Sequence, residues 1–173
     1  ALARPLSPLS PRGAYWALTR AGLRFGGLLS RGVKLGHDTG FDSGSTLDYV
    51  YRNEAAGAGP LGRSIDRTYL DSIGWRGIRQ RKLHVEELLR EAMELLARQQ
   101  REVRVMDIAA GHGRYVLDAV SASPVEAASI LLRDYSDINV RDGRALIAEK
   151  GLEGVAQFLQ ADAFDRASLA GVR

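Results

Sequence analysis

Three aspartates close three short apolar runs: Asp107 near the end of Val103, Val105, Met106 and Ile108, Asp134 after Ile130-Leu131-Leu132, and Asp162 just beyond Val155 to Leu159. Acids at the carboxyl ends of strands in an open α/β sheet face the crevice where such sheets bind ligands. A carboxylate presents two oxygens to the two hydroxyls of a ribose, which makes Asp134 the candidate for that contact. Asp162 can accept from an adenine amino group, and Tyr135 and Phe164 offer ring faces to a base. Between the first and second acids, Gly111 and Gly113 permit a sharp turn and a close ligand approach beside the unpaired N–H groups that open the next helix. The chemistry is recognition of a nucleotide-like ligand.

The elements that must hold these residues alternate. A strand over 103–108, a small-residue turn at Ala109 and Ala110, the two glycines and a helix over 114–120 form the first unit. Pro124 breaks the chain, a second strand runs over 128–134, a helix over 138–150 stops at Gly151, and a third strand covers 155–159. Alternation of this kind predicts parallel pairing with right-handed crossovers. The expected fold class is therefore α/β: a Rossmann-like parallel sheet with flanking helices, truncated after the third strand and preceded by an N-terminal helical and loop extension. Three segments are expected: a basic extension and Gly-rich connection over 1–64, a helical lead-in over 65–100, and a cofactor-binding half over 101–173.

Within the extension, residues 1–13 hold Pro5, Pro8 and Pro11 and read as an extended leader. Residues 14–34 could form a basic helix in which Trp16, Leu18, Phe25 and Leu28 alternate with Arg20, Arg24 and Arg31. Six glycines between 36 and 64 predict a loop-rich connection around an aromatic island at Leu47 to Tyr51, which suits either a lid or a disordered link. A short helix is expected over 65–77. A long amphipathic helix then follows, its stripe formed by Val85, Leu88, Leu89, Ala92, Leu95 and Leu96 with Glu86, Glu87 and Glu91 on other faces.

Composition narrows the classes. The 173 residues include no cysteine, which removes disulfides and thiolate metal sites, and the three histidines are too scattered for a zinc site, so no metal is expected. The net charge of +3 hides an asymmetry, because residues 1–35 carry six Arg/Lys and no acid. No apolar run approaches the ~20 residues that cross a bilayer. A cytoplasmic location is expected.

The segments Asp107-Ile-Ala-Ala-Gly-His-Gly113, Leu132-Arg-Asp-Tyr-Ser136 and Leu159-Gln-Ala-Asp-Ala-Phe164 together resemble the class I S-adenosylmethionine-dependent methyltransferases. The resemblance covers roughly 102–165. It implies S-adenosyl-L-methionine as cofactor, with Gly111 and Gly113 along its methionine part, Asp134 on the ribose, and Asp162, Ala163 and Phe164 around the adenine. Asp107 opens the family's glycine motif. Ala109 stands where that motif has its first glycine, which is tolerable if its φ stays negative. The segment Gly74 to Lys82 is also similar to a bacterial group of methyltransferases, sometimes fused to hydrolases, with no assigned substrate. Arginines between Arg76 and Arg81 are either a solvated face or a hold on the cofactor's carboxylate.

The expected function is methyl transfer to an unidentified small-molecule acceptor, this chain carrying mainly the cofactor half and being inactive by itself; its catalytic residues are not assigned. A nucleic acid is not expected as the acceptor but stays open. Two alternatives stand beside it. A nicotinamide-dependent dehydrogenase shares the acid after the glycines, although Val116 occupies the place of its third small residue. A non-catalytic module would keep the fold and dock to a membrane or a partner through the basic segment at 14–34. An open edge on the first strand would further favour oligomers or aggregation.

Overall fold

The computed structural model describes residue 7 and residues 10–170. The expected leader falls mostly outside those residues, and the chain is already helical at Pro11. Five helices come first: α1 (Pro11–Leu29), α2 (Arg31–Thr39), α3 (Gly44–Arg52), α4 (Gly59–Leu70) and α5 (Ile73–Arg98). Then β1 (Arg104–Ile108), α6 (Arg114–Ser121), β2 (Ser129–Asp134), α7 (Asp137–Glu149), β3 (Ala156–Gln160) and α8 (Arg166–Ala170) alternate as anticipated.

The sheet is parallel, in the order β1-β2-β3, with Asp107 opposite Leu132 and Leu132 opposite Phe158. Its central strand is the most buried, which is why β2 is a continuous apolar run and not an alternating one. Ile130 and Leu132 meet Val116, Leu117 and Val120 of α6, Val140, Leu146 and Ile147 of α7, and Met93 of α5 in one core. β1 lies at an edge, where Met106 and Ile108 are exposed while Val103, just before it, is buried.

The glycine-rich stretch is helical where a loop was expected. Serine punctuates it: Ser10, Ser30 and Ser43 each accept a bond from the third backbone N–H beyond them and so start α1, α2 and α3. Each such cap satisfies a donor that the helix itself leaves unpaired, a contribution of about 1 kcal/mol. Asn53 then ends α3 in the left-handed conformation. The helices gather round Asp66, which is wholly buried and takes bonds from Ser30 Oγ (2.6 Å), Gly32 N (2.8 Å), Ala56 N (2.8 Å) and the Tyr49 hydroxyl. Burial alone would push this carboxyl up, but the four donors outweigh it and hold its pKa below the ordinary value.

α5 corrects a further expectation. It runs unbroken from Ile73, and it buries Met93 and Glu86 with Leu89 and Leu96 packed alongside, while Leu88 and Leu95 face outward. Glu86 can be buried because Lys82 pairs with it, and Lys82 also reaches Asp118 Oδ2 at 2.7 Å on α6. Lys150 Nζ lies 2.6 Å from Asp118 Oδ1, so the same aspartate ties α5, α6 and the end of α7 together.

Candidate functional site

The turn after β1 is shaped by three left-handed residues, Ala109 (φ 62°), Gly111 (φ 60°) and Gly113 (φ 73°). Gly113 also has no room for a side chain, since a Cβ there would lie 2.4 Å from Leu132 Cδ1. Alanine at 109 would be unstrained at a negative φ, but its φ is positive. Its Cβ is held in a conformation that costs about 1 kcal/mol relative to the right-handed region. The turn is closed by Ala110 N–H donating to Arg133 O (3.0 Å) and Gly113 N–H to Ala110 O (2.8 Å).

Asp134 fixes the same turn to the end of β2. Its Oδ2 accepts from Gly111 N at 2.8 Å, and its Oδ1 accepts from Ser136 N at 2.9 Å and Asn139 Nδ2 at 3.0 Å. Three donors leave one lone-pair direction open, on Oδ2. Asp107 lies behind the turn, bonded through Oδ2 to the Tyr115 hydroxyl at 2.5 Å. Burial, helped by the negative charge of Asp134, raises the Asp107 pKa against the opposing pull of the Tyr115 bond.

Facing the turn across a cavity of about 570 Å³ is a wall from the N-terminal helices: Asp42, Gly44, Leu47, Asp48 and Tyr51. Gly44 and Gly111 stack back to back, so that a Cβ on Gly44 would come 2.7 Å from the Gly111 Cα. Around that contact Ser45 Oγ lies 3.2 Å from His112 Nε2, Asp48 Oδ1 accepts from Arg114 Nε at 2.6 Å, and Asp48 Oδ2 lies 3.6 Å from His112 Nδ1. Burial would push Asp48 up, yet His112 and Arg114 prevail and lower its pKa to about 2. The third wall is α5, with Arg81, Lys82 and Val85. Lys82 is consumed by its two acids, whereas Arg81 makes no hydrogen bond or ion pair among the described residues.

Compared with known families, residues 1–173 match throughout the family described as "Putative methyltransferase". The chain belongs to that methyltransferase family. The chain is 48% identical over 165 residues to "Uncharacterized protein YnbC" of Escherichia coli strain K12; the match covers 95% of this chain and 28% of that protein, so the chain spans little more than a quarter of the relative's length. Among solved structures, WbdD in complex with a kinase inhibitor is similar over 60% of this chain and 22% of its own, at 20% identity and a TM-score of 0.42. That likeness is too slight to carry an argument.

The fold brings some of the anticipated residues together and leaves others apart. Ala109, Gly111, Gly113 and Asp134 line the cavity; Asp107 is reached only through Tyr115. Tyr135 and Phe164 are 77% and 91% exposed, Asp162 accepts from the Phe164 backbone N–H at 2.8 Å, and neither these three nor Ala163 is part of the cavity lining. Asp48, Tyr51, Arg114 and Asn139 were not foreseen. Ser43 before Gly44, with the aromatic island beginning at Leu47, was the available signal that a capped helix stands there. Among the described residues, no cluster of His, Cys, Asp or Glu is arranged to hold a metal, and no helix is long and apolar enough to cross a membrane.

Proposed function

We propose that the chain binds S-adenosyl-L-methionine in the cavity between the glycine turn and α3, as the cofactor half of an enzyme that methylates a small molecule. The observation that carries the reading is the turn itself: left-handed Gly111 and Gly113 line a cavity of about 570 Å³, with Asp134 bonded to the Gly111 amide at the end of the neighbouring strand. That volume lies within the ~300–1,000 Å³ of small-molecule sites. The donor set fits such a cofactor. Asp134 retains one acceptor direction for a ribose hydroxyl, Arg81 offers an unpaired guanidinium for a carboxylate, and Tyr115 adds an aromatic ring to the lining, a group that attracts a sulfonium. When bound, the cofactor supplies an electrophilic methyl on sulfur. The chain's own part is to orient it and to keep water from that side of the crevice, since such transfers depend chiefly on alignment. The methyl acceptor and the residues that deprotonate it are not among these contacts.

Calorimetric titration of S-adenosylhomocysteine, and separately of NAD, into the natural full-length protein tests this reading. Saturable binding of the homocysteine adduct that weakens at least tenfold in Arg81→Ala and Gly111→Val variants, with no NAD binding, is the expected result. Saturable NAD binding, or homocysteine-adduct binding indifferent to both substitutions, would overturn it. The full family match favours this reading over a dehydrogenase.

A further inference from the structure

α1 has two different faces. One packs on α2 and α4, with Gly27 against Val33 and His37. On the other, Ala14, Leu18, Ala21, Phe25 and Leu28 follow one another at alternating four- and three-residue steps, which places them on one line along a helix. Leu18 is 74% exposed, Phe25 62% and Leu28 75%, and no part of the described chain covers them. A soluble surface tolerates single exposed apolar side chains; a row of this length has a use.

The charge around the row says what occupies it. α1 holds three arginines and no acid, Arg20 and Arg24 fall along one flank of the row, and Arg31 opens α2 with a further cation. Tyr15, exposed on the other flank, is an aromatic type favoured at the level of lipid headgroups. A protein partner would need acids opposite these arginines and an apolar ridge for the row, whereas an anionic bilayer provides both at once. The helix is not apolar enough to cross a membrane. We propose that α1 is a peripheral membrane helix, lying in the plane of an anionic lipid surface with Leu18, Phe25 and Leu28 among the acyl chains and Arg20 and Arg24 at the phosphates. The inference is independent of the cofactor assignment.

The test is flotation of the natural full-length protein with vesicles of equal parts phosphatidylcholine and phosphatidylglycerol, beside vesicles of phosphatidylcholine alone. The protein should float with the mixed vesicles only. Flotation should fall about tenfold in a Phe25→Glu, Leu28→Glu double variant and partly in Arg20→Gln, Arg24→Gln. Since all four side chains face solvent, the variants should melt at the wild-type temperature, and binding of S-adenosylhomocysteine should be unchanged. Failure to float, equal flotation with both vesicle types, or flotation retained in the double glutamate variant would overturn the proposal. So would a vesicle-free self-association that the double glutamate variant abolishes, because the row would then be a contact between copies.

Discussion

Asp48 of α3 and Arg114 at the start of α6 meet at 2.6 Å, Oδ1 to Nε, with both side chains largely buried. The pair fastens the N-terminal helices to the glycine turn. Arg52 adds a second guanidinium, its Nε 3.1 Å from Asp48 Oδ2. Replacing Asp48 with Asn should remove charge from a buried pair and leave Arg114 uncompensated, a loss of about 3 kcal/mol measurable by urea denaturation. A loss below about 0.5 kcal/mol would mean that the pair does not hold the lobes together.

The same carboxyl sets an acid limb. An aspartate in an unfolded chain titrates near pH ~4, and Asp48 in the fold does so at about 2. Because the folded value is the lower one, its stabilisation is complete above about pH 4 and fades as pH falls through 2, amounting to about 2 kcal/mol in all. Stability measured across that interval should decline less steeply in Asp48→Asn than in the wild type.

Ala109 gives a substitution expected to stabilise. Glycine there relieves the left-handed backbone at φ 62°, a gain of about 1 kcal/mol offset in part by the greater freedom of glycine in the unfolded chain, for a net of about 0.5 kcal/mol. Thermal melting of Ala109→Gly should rise by a few degrees. A fall would show that the alanine methyl makes a contact worth more than the strain.

Gly44→Ala tests the opposite kind of crowding. The added methyl would sit 2.7 Å from the Gly111 Cα and from both terminal atoms of the Asn139 amide, a distance at which backbone must move. α3 should lift from the turn, weakening S-adenosylhomocysteine at least tenfold while circular dichroism keeps its helical signal. Unaltered affinity would place the ligand somewhere that α3 does not enclose.

Asp66 should be the least replaceable residue of the N-terminal helices. Asp66→Ala would leave Ser30, Gly32, Tyr49 and Ala56 with donors that lose a buried acceptor, at about 3–5 kcal/mol in total. Protease sensitivity confined to residues 30–70, with the sheet intact, is the expected signature.

The sheet half was legible because each signal is local. Ile130 to Leu132 is an apolar run too short for a helix, Gly151 stops α7, and β2 ends on Asp134, with Asp162 two residues beyond the end of β3. The N-terminal half was not, because its glycines, at 36, 40, 44, 57, 59 and 62, read as flexibility when several of them are sites of close packing. Gly32 and Gly36 lie under the rings of Tyr69 and Phe41, a relationship that spacing does not encode. The cavity's second wall was invisible for the same reason: Asp48 and Arg114 are distant in sequence, and no pattern near either one announces the other. Leu88 and Leu95 were assigned to the buried stripe of α5 by periodicity, which cannot know that Lys82 would carry Glu86 inward instead.

The stacking of Gly44 on Gly111, and of Ser45 on His112 at 67 residues' separation, also fixes when the pocket can arise during folding. Loop closure over such a span is slow compared with forming the helices or the β1-turn-α6 unit alone. The sheet and turn can therefore assemble first, leaving a half-built crevice until α3 arrives. A ligand that needs both walls binds only the completed form, and its mass-action stabilisation would appear chiefly as a slower departure of the N-terminal helices.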